Sequence, residues 1–179
     1  MAPALRARNR ARIVRRVPET VVVVVEIPGG SRNKYEMDHD TGLVYLDRML
    51  FTATRYPADY GFIDGTMGED GDPLDALVFV GEPTFPGCRI VVRPIGVFGM
   101  RDEKGQDDKI LCVPLHDPAW SHVEQLDDLL PTLRNEIEHF FSVYKDLESK
   151  KVETQGFGDR DAAVEIIQRA FERGRAERS

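Results

Sequence analysis

Three aspartates fall within six residues of a segment that is poorly suited to a helix. Residues 70–75 read Asp-Gly-Asp-Pro-Leu-Asp, and a strand-like run, Ala-Leu-Val-Phe-Val, follows directly. Two unit charges about 4 Å apart repel by about 4 kcal/mol at an effective dielectric near 20. Carboxylates directed at one point therefore need a cation between them, and hard oxygen ligands favour Mg²⁺, Mn²⁺ or Ca²⁺ over zinc. The segment indicates either a multi-metal site for phosphoryl transfer or a solvated acidic turn.

Basic and phenolic side chains are interleaved with further acids along the chain. A second acidic loop spans residues 102–109, between two apolar runs, and Glu26 ends a run of valines. The side chains that could hold phosphate oxygens are Lys34, Arg48, Tyr56, Tyr60, Tyr144 and Lys145. Their combination with the acids favours phosphoryl transfer. Singly, each has a structural alternative: Lys34 as a turn cation, Arg48 as a strand-edge charge, and Tyr144 as a core residue of a helix.

Other motifs built on clustered aspartates or glycines do not match. An EF-hand loop needs an oxygen ligand at its fifth position and glycine at its sixth, where counting from Asp70 gives Leu74 and Asp75. The sequence contains no Walker A motif, no dinucleotide-binding glycine motif and no nucleophile elbow. A hydrolase with Asp70 as covalent nucleophile is the nearest enzyme alternative. It would place that aspartate at a strand end, whereas Met-Gly-Glu precedes it here.

The composition suits a single acidic domain. The chain has 179 residues, 41% of them hydrophobic, and a net charge of −7. Its two cysteines, Cys88 and Cys112, lie in or beside apolar runs and predict lone thiols rather than a disulfide framework or a zinc site. No apolar run approaches the roughly 20 residues of a membrane span. No signal peptide is visible, so we expect a cytoplasmic protein that does not bind membranes.

The first 18 residues differ from the rest of the chain. They contain six arginines and no acid, and without them 18 basic residues face 31 acidic ones, a net charge of −13. We expect residues 1–18 to be a disordered extension or a misassigned start, and residues 19–179 to form one domain. An arm that folds back on the acidic body is the alternative. A small-barrel nucleic-acid-binding module with a basic arm is the non-enzyme hypothesis, and the acidic body opposes it.

The spacing of apolar residues predicts strands in the first two-thirds of the chain and helices in the last third. Short apolar runs separated by Gly, Pro and Asp predict strands at 21–27, 43–46, 76–80, 89–92, 95–100 and 110–115. Apolar residues three and four apart predict one helix from about Pro131 to Lys145 and a second from about Asp161 to Arg173. Strands first and helices last indicate an α+β fold, and the strand spacing indicates a small barrel.

These motifs together closely resemble those of the family I soluble inorganic pyrophosphatases of the bacterial type. The resemblance runs from about Val21 to the C-terminus. It rests on residues 25–28 (Val-Glu-Ile-Pro), 33–36 (Asn-Lys-Tyr-Glu), 46–48 (Leu-Asp-Arg), 56–63 (Tyr-Pro-Ala-Asp-Tyr-Gly-Phe-Ile), 70–75, Asp102, 107–109 (Asp-Asp-Lys) and 139–147 (His-Phe-Phe-Ser-Val-Tyr-Lys-Asp-Leu). It implies a five-stranded closed β-barrel, OB-like, flanked by two C-terminal helices.

The resemblance also implies a reaction and residue roles. Inorganic pyrophosphate would be hydrolysed to two phosphates by a water activated with several Mg²⁺ ions, with Asp72 as general base. The residues assigned to metals are Asp70, Asp75, Asp102, Asp107, Glu26 and, in the surrounding water network, Glu36. Those assigned to phosphate oxygens are Lys34, Arg48, Tyr56, Lys109, Tyr144 and Lys145. Mn²⁺ is an expected substitute for Mg²⁺, and the wider ligand shell of Ca²⁺ predicts an inhibitor.

The remaining expectations concern assembly and one histidine. Bacterial relatives are usually hexamers, so the resemblance implies a homo-oligomer. The residues themselves do not specify the number of subunits. No nucleic acid is expected as a partner. His39 follows the segment that carries Lys34, and a surface role is favoured over a catalytic one. The tryptophan that many similar chains carry between the two helices is absent here, which concerns packing rather than chemistry.

Overall fold

The structure, a computed structural model, describes residues 19–177. The arginine-rich extension predicted at residues 1–18 lies outside the described residues. The strands are β1 (Val21–Ile27), β2 (Asn33–Met37), β3 (Val44–Met49), β4 (Asp59–Ile63), β5 (Asp75–Val78), β6 (Arg89–Asp102), β7 (Gly105–Gln106), β8 (Lys109–Pro114) and β9 (Glu153–Gly158). The helices are α1 (Pro131–Val143) and α2 (Arg160–Glu177).

Five strands form a closed ring. Their order is β1-β4-β5-β8-β6, and β6 pairs back with β1. The β5–β8 pair is parallel and the other four pairs are antiparallel. β7 and β9 both extend from β6. The predicted α+β fold, with five strands in a closed arrangement and two helices, is therefore confirmed.

The two helices pack on opposite faces of this sheet. Alternate residues of a strand point to opposite faces, and on β5 the side chain of Leu77 joins the core that contains Ile137 of α1. The neighbouring Ala76 joins the core that contains Ile167 and Ala170 of α2. Each helix therefore buries the apolar stripe that its three- and four-residue spacing predicts.

Some strands differ from those predicted. The runs 89–92 and 95–100 form the single strand β6, because a register shift between Pro94 and Gly96 accommodates the proline without ending the strand. β4 and β9 were not predicted as strands, and each contains glycine, which weakens the local strand signal. β9 lies between the two helices, so the order of strands first and helices last is wrong at this point.

Strands β2 and β3 form a hairpin with a two-stranded sheet of its own. Lys34 on β2 is the register partner of Arg48 on β3, which brings the two cations to the same end of the hairpin. We refer to residues 33–49 as the hairpin. Within residues 19–177, no helix has both the length and the apolar character needed to cross a membrane.

Candidate active site

A cavity of about 560 Å³ opens between the hairpin, the loop 70–75, the β6–β8 region and the end of α1. All residues to which a site role is assigned from the sequence line it: Glu26, Lys34, Glu36, Arg48, Tyr56, Tyr60, Asp70, Asp72, Asp75, Asp102, Asp107, Lys109, Tyr144 and Lys145. Residues from both halves of the chain therefore meet at one place, although their chemical roles stay predictions.

The acidic loop, residues 70–75, is held in shape by short-range hydrogen bonds. The N–H of Gly68 donates to the carbonyl of Asp72 at 2.6 Å, and the N–H of Asp72 donates to the Asp70 carboxylate at 3.2 Å. Gly71 has a φ of +89°, a conformation that disfavours other residues. The Thr66 hydroxyl accepts from the N–H of Leu74 and donates to a backbone carbonyl. The loop is thus a fixed scaffold for its carboxylates.

Lys109 lies within the acid cluster. Its side chain is 2% exposed, and its ammonium is 2.6 Å from Oδ2 of Asp75 and also contacts the carboxylate of Asp107. Burial opposes the charged form of Lys109, but attraction to the two aspartates outweighs burial and raises the pKa of the ammonium. The Tyr60 hydroxyl also donates to Oδ2 of Asp75, at 2.5 Å. This corner of the cavity therefore contains one fixed cation between two acids.

The donor set fits divalent cations in its chemistry. Within residues 19–177, no three acidic, histidine or cysteine side chains converge closely enough to form a metal group by themselves. However, Asp75 and Asp107 converge on an ammonium, which shows that a positive charge is favourable at this point. Asp70 and Asp102 line the same cavity, and every one of these donors is a carboxylate oxygen, the ligand type that Mg²⁺ prefers.

Burial raises the pKa of three carboxylates that line the cavity. Burial raises the pKa of Glu26 from 4.5 to about 7, against a hydrogen bond from the N–H of Met37 at 2.9 Å and with added repulsion from Asp75. Burial likewise raises the pKa of Asp70 and of Asp107. Buried acids with raised pKa values that face one cavity mark this cavity as a candidate functional site.

A chain of alternating charges runs along the hairpin on the opposite wall. The Lys34 ammonium contacts Glu36 and lies 3.5 Å from Asp47, and the Arg48 guanidinium also contacts Asp47. Glu36 accepts from the Tyr45 hydroxyl as well, at 2.9 Å. Burial works against ionisation of Glu36, but the hydrogen bond and charge attraction from Lys34, together with the hydrogen bond from Tyr45, outweigh burial and lower the pKa of Glu36. Glu36 is therefore paired with a cation in this structure.

Two buried tyrosines, Tyr56 and Tyr144, line the cavity. Tyr56 is 3% exposed and Tyr144 is 5% exposed, and burial raises the pKa of both phenols. They stay protonated at neutral pH and can donate hydrogen bonds without adding charge. The Tyr144 ring also packs against Phe140 and Phe141 of α1. The core role and the site role of Tyr144 are therefore compatible.

Asp72 and Asp102 each lie near a lysine, but only Asp72 is exposed to solvent. The side chain of Asp72 is 64% exposed, with the ammonium of Lys104 at 3.5 Å. Oδ2 of Asp102 is 3.8 Å from the ammonium of Lys145. Burial lowers the pKa of Lys145. Asp72 is consequently the most accessible carboxylate of the acidic loop.

Several residues in or beside the site have no catalytic or binding role predicted from the sequence. Asp47 lies between the two cations of the hairpin, and its position beside Arg48 could have drawn attention to it. Glu148 binds Arg48 through both carboxylate oxygens, at 2.9–3.1 Å. The two residues are 100 positions apart, so no spacing in the sequence indicates the pair. His39 lines the cavity as an exposed residue, with its ring at 80° to that of Phe62.

Comparison with known proteins agrees with this geometry. Residues 23–175 match the family model of inorganic pyrophosphatase. The inorganic pyrophosphatase of Leifsonia xyli is 57% identical over 150 residues, which cover 83% of this chain and 92% of the relative. That of Streptomyces coelicolor is also 57% identical, over 84% of this chain and 93% of the relative. The crystal structure of inorganic pyrophosphatase from Thermus thermophilus superposes with a TM-score of 0.86 at 44% identity, over 89% of this chain and 94% of that one.

The fold, the cavity and these matches define an enzyme of the hydrolase class. More specifically, the chain belongs to the inorganic pyrophosphatase family.

Proposed function

We propose that this protein hydrolyses inorganic pyrophosphate to two phosphates at the cavity described above, with Mg²⁺ ions bound to its carboxylates. The observation that carries the proposal is a single cavity whose lining combines several aspartates with lysine, arginine and tyrosine side chains. A compact polyanion needs both kinds of group, because cations must neutralise its oxygens and the acids must hold the metals that do part of this work.

The metals would be held by Asp70, Asp75, Asp102 and Asp107, with Glu26 and Glu36 contributing at the edge of the set. Bound divalent ions supply positive charge toward the phosphate oxygens and lower the pKa of a coordinated water. Mn²⁺ has similar ligand preferences and is the proposed substitute. Ca²⁺ accepts 6–8 ligands at about 2.3–2.6 Å, whereas Mg²⁺ requires about 2.0–2.1 Å, so Ca²⁺ would occupy the carboxylates in an unsuitable geometry and inhibit.

The protein's own groups would then orient the substrate and accept the proton. Lys34, Arg48, Lys109 and Lys145 place fixed positive charge beside the phosphate oxygens, and the Tyr56 and Tyr144 hydroxyls donate hydrogen bonds to them. Asp72 is accessible at the cavity and is proposed to accept the proton of the attacking water at a carboxylate oxygen. An exposed carboxylate that is not paired with Lys109 suits this role better than Asp75 does.

The wider properties of the protein are proposals as well. We propose that residues 19–179 act as one catalytic domain, that residues 1–18 take no part in the reaction, and that the protein functions in the cytoplasm as a homo-oligomer, a hexamer by resemblance to its family. Nucleic acid and membranes are not proposed partners. Size-exclusion chromatography with light scattering tests the assembly, and deletion of residues 1–18 tests the arm.

The decisive experiment is an assay of phosphate release from pyrophosphate in Mg²⁺, with and without EDTA. We expect turnover that EDTA abolishes and that added Mg²⁺ restores. A parallel measurement of retention on single-stranded DNA at low salt tests the alternative of a nucleic-acid-binding module. Tight DNA retention without phosphate release would overturn the proposed function.

A further inference from the structure

The guanidinium of Arg48 is held by two carboxylates that differ in exposure. Nε and Nη2 of Arg48 donate to both oxygens of Glu148 at 2.9–3.1 Å, whereas Nη1 contacts Asp47. The Glu148 side chain is 8% exposed and that of Asp47 is 31% exposed. Glu148 is therefore the buried partner of Arg48, and Asp47 is the partner that water or a bound anion can reach.

Glu148 lies behind Arg48 as seen from the cavity. Among the described residues that line the cavity are Asp47 and Arg48 but not Glu148. A two-point contact between a carboxylate and Nε and Nη2 fixes the plane of the guanidinium as well as its position. Its bidentate contact with Arg48 thus gives Glu148 a route by which to act on a ligand in the cavity.

The Glu148–Arg48 pair also joins two parts of the fold that are far apart in the sequence. Arg48 belongs to the hairpin, which forms a sheet separate from the ring. Glu148 lies in the turns that follow α1, where its N–H donates to the carbonyl of Lys145 at 2.8 Å. The same turns carry Tyr144 and Lys145 into the cavity. The pair therefore connects two cation-bearing walls of the site.

We propose that Glu148 is a positioning residue for pyrophosphate binding, which holds the Arg48 guanidinium by Nε and Nη2 and leaves Nη1 for a phosphate oxygen. When the substrate binds, Nη1 exchanges the carboxylate of Asp47 for that oxygen. Asp47 keeps the Lys34 ammonium as a second partner, at 3.5 Å, so the exchange leaves no acid uncompensated. The inference rests on the proposed function, since it names the group that orients one of its substrate contacts.

The variant Glu148→Gln tests this role because it keeps the size of the side chain and removes its charge. We expect KM for magnesium pyrophosphate to rise roughly 10-fold. This is the lower end of the roughly 10- to 100-fold loss seen when a residue that orients a functional side chain is removed. We expect kcat to change little, because the lost interaction serves substrate binding and the transition state alike. Glu148→Asp keeps the charge and should recover part of the loss. Glu138→Gln, an exposed change on α1, is the matched control and should leave KM unchanged.

A double variant separates positioning from a general loss of structure. If Glu148 acts through Arg48, Glu148→Gln should raise KM in the wild-type background and have no further effect in the Arg48→Ala background. Calorimetric binding of imidodiphosphate, a poorly hydrolysed analogue, should follow the same pattern. An equal effect of Glu148→Gln in both backgrounds, or an unchanged KM in the single variant, would overturn the inference while leaving the proposed function intact. Absence of phosphate release by the wild-type protein would instead overturn the proposed function.

Discussion

The ammonium of Lys109 lies 2.6 Å from Oδ2 of Asp75, and the same ammonium contacts Asp107, with the lysine side chain only 2% exposed. Lys109 is the first residue of β8, and Asp75 ends the acidic loop. The loop and the ring are therefore linked by an ion pair as well as by backbone pairing. Removing one partner of a buried ion pair costs about 3–5 kcal/mol, because the remaining charge stays uncompensated. Lys109 therefore stabilises the acid cluster when no metal is bound.

Lys109→Met should destabilise the metal-free protein by about 3 kcal/mol, since the two aspartates then face each other without a cation. Mg²⁺ should restore more stability to this variant than to the wild type, because the ion replaces the missing positive charge. Urea denaturation in EDTA and in Mg²⁺ measures both effects. The control is Lys104→Met, whose side chain is 65% exposed and lies 3.5 Å from Asp72. Equal stability of Lys109→Met and wild type in EDTA would contradict the role assigned to Lys109.

The second prediction separates a metal ligand from a base. Asp75→Asn should nearly abolish turnover and weaken Mg²⁺ binding, because Asp75 lies at the centre of the acid cluster. Asp72→Asn should lose turnover but keep most Mg²⁺ affinity, and its stability should change by no more than about 0.5 kcal/mol, as is usual for exposed side chains. Isothermal titration with Mg²⁺ and an assay of phosphate release distinguish the two variants. A similar loss of Mg²⁺ affinity in both would show that Asp72 is not the base.

The third prediction concerns pH and Glu26, whose pKa burial raises from 4.5 to about 7. The folded state holds this proton more tightly than the unfolded state, so the contribution of Glu26 to stability is greatest below about pH 4.5 and falls until about pH 7. The expected loss for this group is about 3 kcal/mol. Glu26→Gln imitates the protonated acid and should become more stable than the wild type as pH rises. The measurement is urea denaturation in EDTA at several values between pH 5 and pH 8, with Glu138→Gln as control. If the stabilities of the wild type and Glu26→Gln changed in parallel with pH, the raised pKa of Glu26 would be contradicted.

The sequence predicts those parts of the fold that local chemistry determines. The valine run of β1 reads as a strand because β-branched residues suit one, and α1 begins at Pro131 because proline fits a first helical turn. The residues of the cavity could be chosen from their motifs before any contact was known. By contrast, the partner of Arg48 could not, because Glu148 is distant in sequence. β9 was not predicted because its pairing with β6, rather than its own glycine-containing sequence, makes it a strand.

The last prediction concerns Gly174, where helix propensity and packing have opposite effects. Alanine is preferred over glycine within a helix by about 1 kcal/mol. A Cβ at this position of α2 would, however, lie 2.6 Å from the carbonyl oxygen of Gly65, in the segment that leads to the acidic loop. Overpacking costs about 1–3 kcal/mol, so Gly174→Ala should lower the free energy of unfolding and also weaken Mg²⁺ binding. Denaturation and Mg²⁺ titration measure the two effects, with Glu172→Ala on the exposed side of α2 as control. A stabilised Gly174→Ala protein would mean that α2 does not press against this segment.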